Sequence, residues 1–317
     1  MAVGIGAGGF MGLAFESTYG TYAAPTKYFP IKSESFKFMQ DTYWRRVIRG
    51  NVVTWLGAAD GFSHVEGEIE MELMEDALPY FLYASRNTIV KSGAGADKTY
   101  TTTPTAIASS ASLPKTLSIT IVRAGVTFGY VGCVVGKMSF SSDDTGVPMM
   151  TMTVVGSDEG SQSLPTPTWL ATSTAFGAGM YSIEIPTATQ VFDCAGFTFD
   201  VDDTPEPQFR LNNSRKARFI KFGERSTTCQ ITRDFDGRTE YDLFKALTST
   251  SITLKCEKTA VKSITFSMPN AIREAYDGPE LTGQGDLITA DVNFNGAFDL
   301  VTSKDYQIVV ICQEDIT

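Results

Sequence analysis

The residues able to do chemistry are few, and none sits in a complete motif. His64 is the only imidazole, and Glu66 lies two residues on. That pair suits a general base, but no nucleophile with motif context accompanies it. Asp200, Asp202 and Asp203 form an acidic cluster at a strand end, read as a solvated turn rather than a metal site. Asp291-Val-Asn293-Phe-Asn295-Gly296 matches the opening of a calcium loop. Its twelfth position is Thr302 where a bidentate Glu is needed, and the segment alternates like a strand. GIGAGGF, near the start, has the glycines of a phosphate cradle without the preceding strand or the following helix. Cys133, Cys194, Cys229, Cys256 and Cys312 contain no CxxC pair and are odd in number, so they are read as buried thiols of a reducing compartment. The expectation is no catalytic residue, no metal and no cofactor.

The elements behind these residues read as mostly β. In 64–74, Val65, Gly67, Ile69, Met71 and Leu73 alternate with Glu66, Glu68, Glu70 and Glu72, which puts four carboxylates on one strand face. Residues 75–85 read as a short helix whose Pro79 must lie in the first turn. The polar stretch 91–114 reads as a loop. Strands follow at 116–123, at 126–142 with a bend at Gly132 or Gly136, and at 148–156.

The second half repeats this order. Phe36 and Phe38 fall on Phe197 and Phe199, 161 residues later, while Ile69 falls on Ile231 and Glu72 on Asp234, 162 residues later. The helix recurs at 239–248, 251–258 falls on 117–124, and 286–296 falls on 149–156. The organisation is an N-terminal arm (1–28), a first unit (29–159), a linker rich in Ser, Thr, Pro and Gly (160–185) and a second unit (186–317). The glycines of the arm suggest a flexible segment that packs elsewhere. It has no basic residue before Lys27, which makes it a poor secretory signal, and no apolar run reaches the roughly 18 residues of a membrane span.

Each unit also has a long basic loop. The first, 42–63, carries Trp44, Arg45, Arg46, Arg49 and Trp55. The second, 203–225, carries Phe209, Arg210, Arg215, Lys216, Arg218 and Phe219. Aromatic residues with Arg suit a protein–protein hot spot, or single-strand nucleic-acid stacking. The acidic strands alongside favour the protein interface. A net charge of -10 over 317 residues argues against a general nucleic-acid binder. The glutamate face is either a solvated edge strand, protected from aggregation by charge, or an anionic wall. A monomeric β-sandwich binding carbohydrate or protein fits the composition as well.

GIGAGGFMGLAFESTYGTYAAPTKYFPI, RRVIRG, HVEGEIEMEL with LPYFLYASRN, and FGYVGCVVGKMSFS, in that order and spacing, resemble the phage tail tube proteins of long-tailed, non-contractile (siphovirus) phages. The resemblance covers about the first 160 residues directly and the rest through the repeat. It implies a structural virion protein made of two tandem β-sandwich or rolled-sheet units, each with a flanking helix. Sheets of neighbouring subunits join edge to edge into a closed inner barrel, rings stack, and the long loops reach across subunits and rings. The family's six tube units per ring imply three of these chains with pseudo-sixfold symmetry. Four inner strands per unit then give a backbone barrel about 48 Å across and an open channel of about 38 Å. On this reading Glu66, Glu68, Glu70, Glu72 and Asp234 face the lumen, and Lys37 partly offsets them. The implied partners are the protein itself, a tape measure protein, tail-end proteins and double-stranded DNA in transit without specific binding. The implied location is the virion tail, after synthesis in the host bacterial cytoplasm, with no membrane.

Overall fold

The computed structural model describes residues 8–48, 50, 55–93, 97–104, 114–143, 146–169, 175–235, 237–278 and 288–316. The chain is mainly β. The first half contributes β1 (Phe10–Phe15), β2 (Lys27–Phe29), β3 (Ser33–Glu34), β4 (Lys37–Arg46), β5 (Trp55–Glu72), α1 (Leu78–Ala84), β6 (Asn87–Ser92), β7 (Lys98–Pro104), β8 (Leu117–Arg123), β9 (Val126–Asp143), β10 (Met149–Gly156) and β11 (Asp158–Ser161). The second contributes β12 (Tyr181–Glu184), β13 (Gln190–Val191), β14 (Cys194–Asp202), β15 (Pro205–Gln208), β16 (Phe219–Phe222), β17 (Ser226–Asp234), α2 (Thr239–Lys245), β18 (Ser249–Thr259), β19 (Lys262–Asp277), β20 (Thr289–Gly296) and β21 (Gln307–Cys312).

Period-2 alternation forms the central sheet. Val65, Ile69 and Met71 are fully buried, while Glu66, Glu68 and Glu72 are exposed between them. β4 pairs with β5, β5 with β10 and β10 with β9, all antiparallel. The second unit repeats this: β14 pairs with β17, β17 with β20 and β20 with β19. β9 also pairs with β14, from Gly196 opposite Asp143 to Asp202 opposite Lys137. The two units therefore share one antiparallel sheet in the order β4-β5-β10-β9-β14-β17-β20-β19. Behind it, β1, β8 and the first half of β9 cover one unit, and β18, β21 and the first half of β19 cover the other. A single apolar core lies between the layers and spans both units.

The bend expected in 126–142 uses both glycines. Gly132 has φ +65°, and the β9–β10 register shifts across Gly136. β9 leaves the outer layer just after the first, pairs with β10 of the central sheet from Val134, and bulges at the second. The same register shift recurs between Arg273 and Ala275 of β19, opposite Phe294 and Asn293. The matching bulges equate Lys137 with Ala275 and Thr153 with Asn293, and they confirm Ile69 with Ile231 through β10 and β20. The first strand needs a correction. Phe36 packs at Gly67, where a Cβ would lie 2.5 Å from the Phe36 Cα, and its register equivalent opposite Cys229 is Phe199. The repeat there is offset by 163 residues, two more than the Phe-x-Phe pattern suggests. A slip of two keeps every side chain on its face.

Four stretches expected as loops or arms are more ordered. Residues 42–63 extend β4 and β5 into a hairpin arm, described up to Ile48 and from Trp55 onward. Residues 203–225 contain the short hairpin β15–β16. Residues 91–114 begin with the end of β6 and all of β7, which form a hairpin, and β7 pairs with β21 of the second half. Of the N-terminal segment, residues 10–15 form a core strand with Met11 and Leu13 fully buried.

The helices sit at the expected places. Pro79 occupies the first turn of α1, which is buried on nearly every side. Glu75, just before it, is fully buried and accepts from Lys258 Nζ at 2.5 Å, tying the first unit to the second. α2 buries no residue, carries Glu240 and Asp242 in its first turn, and has Lys245 in its last.

Candidate assembly surfaces

The glutamates of β5 lie on the face of the central sheet that looks away from the core. Register extends this face across the molecule. Glu70 lies in one row with Thr151, Ser139, Asp200, Thr228 and Asn295. Glu72 lies in the next with Met149, Ser141, Thr198, Gln230 and Asn293. Asp234 shares the face at the end of β17, as Glu72 does on β5. Lys32 Nζ reaches Glu70 at 3.0 Å and Ser33 Oγ donates to it at 2.8 Å, and these bonds hold the Glu70 carboxyl below its ordinary pKa. Lys37 sits opposite Glu66.

Asp200, Asp202 and Asp291 also belong to this face, which the sequence reading missed. Their signal was alternation: Phe197, Phe199 and Val201 are buried between Thr198, Asp200 and Asp202. Asp291, Asn293 and Asn295 lie along one strand paired on both sides, and Asp291 accepts from Gln230 at 3.0 Å and Thr232 at 2.6 Å. They do not form a loop around a cation. Asp203 is not the solvated turn residue expected. It is 1% exposed and held by Arg225 at 2.7 and 2.9 Å, with the Arg86 guanidinium 3.9 Å away. Burial raises its carboxyl pKa against the pull of these arginines. His64 is half-buried, 3.8 Å from Glu66 and edge-on to Phe209. The described residues contain no cluster of three or more His, Cys, Asp or Glu able to hold a metal ion. All five cysteines are free thiols, four of them buried and Cys194 half-buried.

The shared sheet ends in two edges with no strand partner among the described residues. One is the outer side of β4, where all ten residues are exposed. The other is the end of β19, where the ladder of Ala275 to Asp277 runs along β20 on one side. The corresponding edges inside the chain are joined, as β14 and β9.

The two expected loops are equivalent hairpins in different positions. Thr42 pairs with Asp60 and Arg45 with Gly57, while Pro205 pairs with Phe222 and Gln208 with Phe219. These are the same positions in the repeat. The second hairpin lies on the first unit. Phe209 stacks on Phe62, Arg215 reaches Asp60 at 2.5 Å and Lys216 reaches Asp158 at 2.5 Å. Ala217 and Ile220 form a small apolar cluster with Val134 and Val155. Gly136 makes room for this: a Cβ there would meet Pro205 at 2.0 Å. Arg210 lies over Phe219, and Arg218 is exposed. Beyond Asp60 the first hairpin stands free. Tyr43 is 72% and Trp44 57% exposed, Trp55 packs edge-on to Trp44, and Arg46 lies 4.3 Å above Trp55. Arg45 is exposed, and Arg49 lies outside the described residues.

The polar sheet face, the outer side of β4 and the aromatic arm are all exposed in the single chain. Among the described residues no helix is long and apolar enough to cross a membrane. No curated protein matches the chain significantly. The family model for phage tail tube proteins matches residues 6–296, nearly the whole chain. The chain therefore belongs to the phage tail tube protein family, whose members are structural components of the virion tail.

Proposed function

We propose that three chains close into a ring, that rings stack into the tail tube of a siphovirus, and that the glutamate face lines a channel for double-stranded DNA. The observation that carries this reading is the β9–β14 joint, which already pairs two tube units edge to edge within one chain. Repeating it between chains brings the free end of β19 against the free edge of β4 in the next chain. Carried over from the β9–β14 joint, the register would set Phe38 opposite Tyr276, and Lys37 opposite Asp277, of the neighbouring chain. Each chain supplies eight strands to the sheet, so three supply the 24 that leave a channel of about 38 Å. Closure also removes both exposed edges.

The acidic face then has a use. Three chains at -10 each carry -30 per ring. Glu66, Glu68, Glu70 and Glu72, with Asp200, Asp202, Asp234 and Asp291, repel phosphates, so DNA passes without the counterion release that would hold it. A tape measure protein would occupy the channel during assembly, and tail-end proteins would cap the exposed rings. Sedimentation over a range of protein concentrations tests the assembly. Particles no smaller than three chains that grow by whole rings are expected. A species that stays monomeric at all concentrations, with or without an added tail-end nucleator, contradicts the reading.

A further inference from the structure

We infer that Asp76 works a pH-sensitive clasp between the two halves of the chain: the strap formed by residues 313–316 grips the first half most firmly while Asp76 is protonated, and it loosens as Asp76 ionises. The clasp is independent of the tube reading. Glu75 and Asp76 precede α1 and are 0% and 1% exposed, two neighbouring carboxyls taken out of water. Glu75 is matched by Lys258 at 2.5 Å and Lys262 at 3.8 Å, from the β18–β19 hairpin of the second unit. Neither oxygen of Asp76 has a well-formed hydrogen bond among the described residues, and the backbone N–H of Glu314 gives it only weak support. A buried carboxylate without donors costs more than a buried carboxylic acid, so such a place favours the protonated form. The repeated unit does not require this burial, since α2, in the equivalent place, buries no residue.

The strap follows β21 and lies beside this pair. Glu314 accepts from Tyr80 Oη at 3.1 Å and pairs with Lys27 at 2.5 Å, and its carbonyl accepts from Tyr100 Oη at 2.9 Å. Lys98 donates to the Gln313 carbonyl at 3.1 Å, Lys91 holds Asp315, and Ile316 is 1% exposed. These anchors come from β2, α1, β6 and β7, all in the first half.

Charged groups reach Asp76 from each of its neighbours. Burial, above all, and then Glu75 on its own segment and Glu314 on the strap raise its pKa, while Lys262 on β19 lowers it, and the net shift is upward. Burial and then the Asp76 charge push the Cys312 thiol at the end of β21 up to about 12. Burial and Glu314 raise Tyr80 on α1, so it stays a neutral donor to the strap. An ionised Asp76 competes with Glu75 for Lys262 and repels Glu314. The strap, which lies outside the ladders, gives way before the shared sheet does. The folded pKa of Asp76 lies above the unfolded value, about 3.9. The protonated carboxyl therefore adds grip that is complete below that value and is lost as pH rises through the folded pKa.

Amide exchange of the full chain across pH, in the parent and in Asp76→Asn, tests this. The ratio of strap opening in the parent to that in the variant is expected to rise from about pH 4 upward, by up to about tenfold per pH unit, and then to level off. The same ratio for β17 is expected to stay constant. A strap ratio that stays constant or falls with pH overturns the clasp. Should Asp76→Asn not fold, carbon NMR titration of the Asp76 carboxyl in the parent decides the point. Ionisation above the ordinary aspartate range is expected there, and ionisation within or below it overturns the clasp.

Discussion

Phe209 of the second unit stacks on Phe62 of the first, ring centroids 4.6 Å apart and planes 16° from parallel. The two residues are 147 positions apart in sequence, and the contact seats a hairpin whose equivalent in the first unit stands free. Offset stacks of this kind contribute about 0.5–1.5 kcal/mol beyond the area they bury. Phe209→Ala is therefore expected to destabilise the folded chain by about 1–2 kcal/mol. Faster amide exchange confined to 205–222 would show that the hairpin has lifted, and unchanged exchange there would contradict the role of the stack.

In the proposed ring Lys37 faces Asp277 of the neighbouring chain. Lys37→Glu sets like charges across each joint, at a cost of about 1 kcal/mol per joint. That raises the concentration at which tubes appear by roughly fivefold. Asp277→Lys in the same chain is expected to return it towards the original value. Light scattering against concentration reads both.

Glu34 is held by Arg123 through two hydrogen bonds, at 2.7 and 2.6 Å. Burial alone would raise the Glu34 pKa, but the Arg123 pair outweighs it and the net shift is downward. A depressed carboxyl pKa adds stability that is complete above the unfolded value, about 4.3, and is lost as pH falls through the lower folded value. Glu34→Gln is expected to cost about 1–3 kcal/mol at pH 7. The difference from the parent should shrink below about pH 4. Denaturant midpoints across that range check the sign: a gap that widens in acid would contradict it.

Glu68 and Glu72 lie on the proposed channel wall. Replacing both by Lys changes the ring by twelve positive charges if three chains form it, without touching the core. Such tubes are expected to retain duplex DNA at low salt and to release it steeply as salt rises, while parent tubes retain none. Filter binding against salt concentration measures this. Equal binding by parent and variant would place these residues away from the DNA path.

Much of the fold was legible because burial writes a period into sequence. The alternation of Val65, Ile69 and Met71 with glutamates located β5, and the second unit echoed it. The arm was not legible for the same reason. Residues 42–46 and 55–60 are exposed on both faces, so their strands carry no alternation. Thr-rich β7 hid in a polar stretch until β21, two hundred residues away, gave it a partner. Phe36 and Phe38 matched Phe197 and Phe199 because Phe-x-Phe looks alike after a slip of two, and only the ladder shows the true register. Asp203 read as solvated because nothing local marks Arg225 as its partner. The acidic face was found on β5 and, through Asp234, on β17, and missed on β14 and β20, where the same alternation was read as a turn and a calcium-loop fragment.

The central claim is that the joint between β9 and β14 is repeated between chains. Cryo-electron microscopy of assembled protein tests it most directly. The account predicts rings of three chains with pseudo-sixfold symmetry, β4 of one chain paired with the end of β19 of the next, and Glu66 to Glu72 facing an open channel. Rings of six chains, or glutamates on the outer surface of the tube, would contradict it.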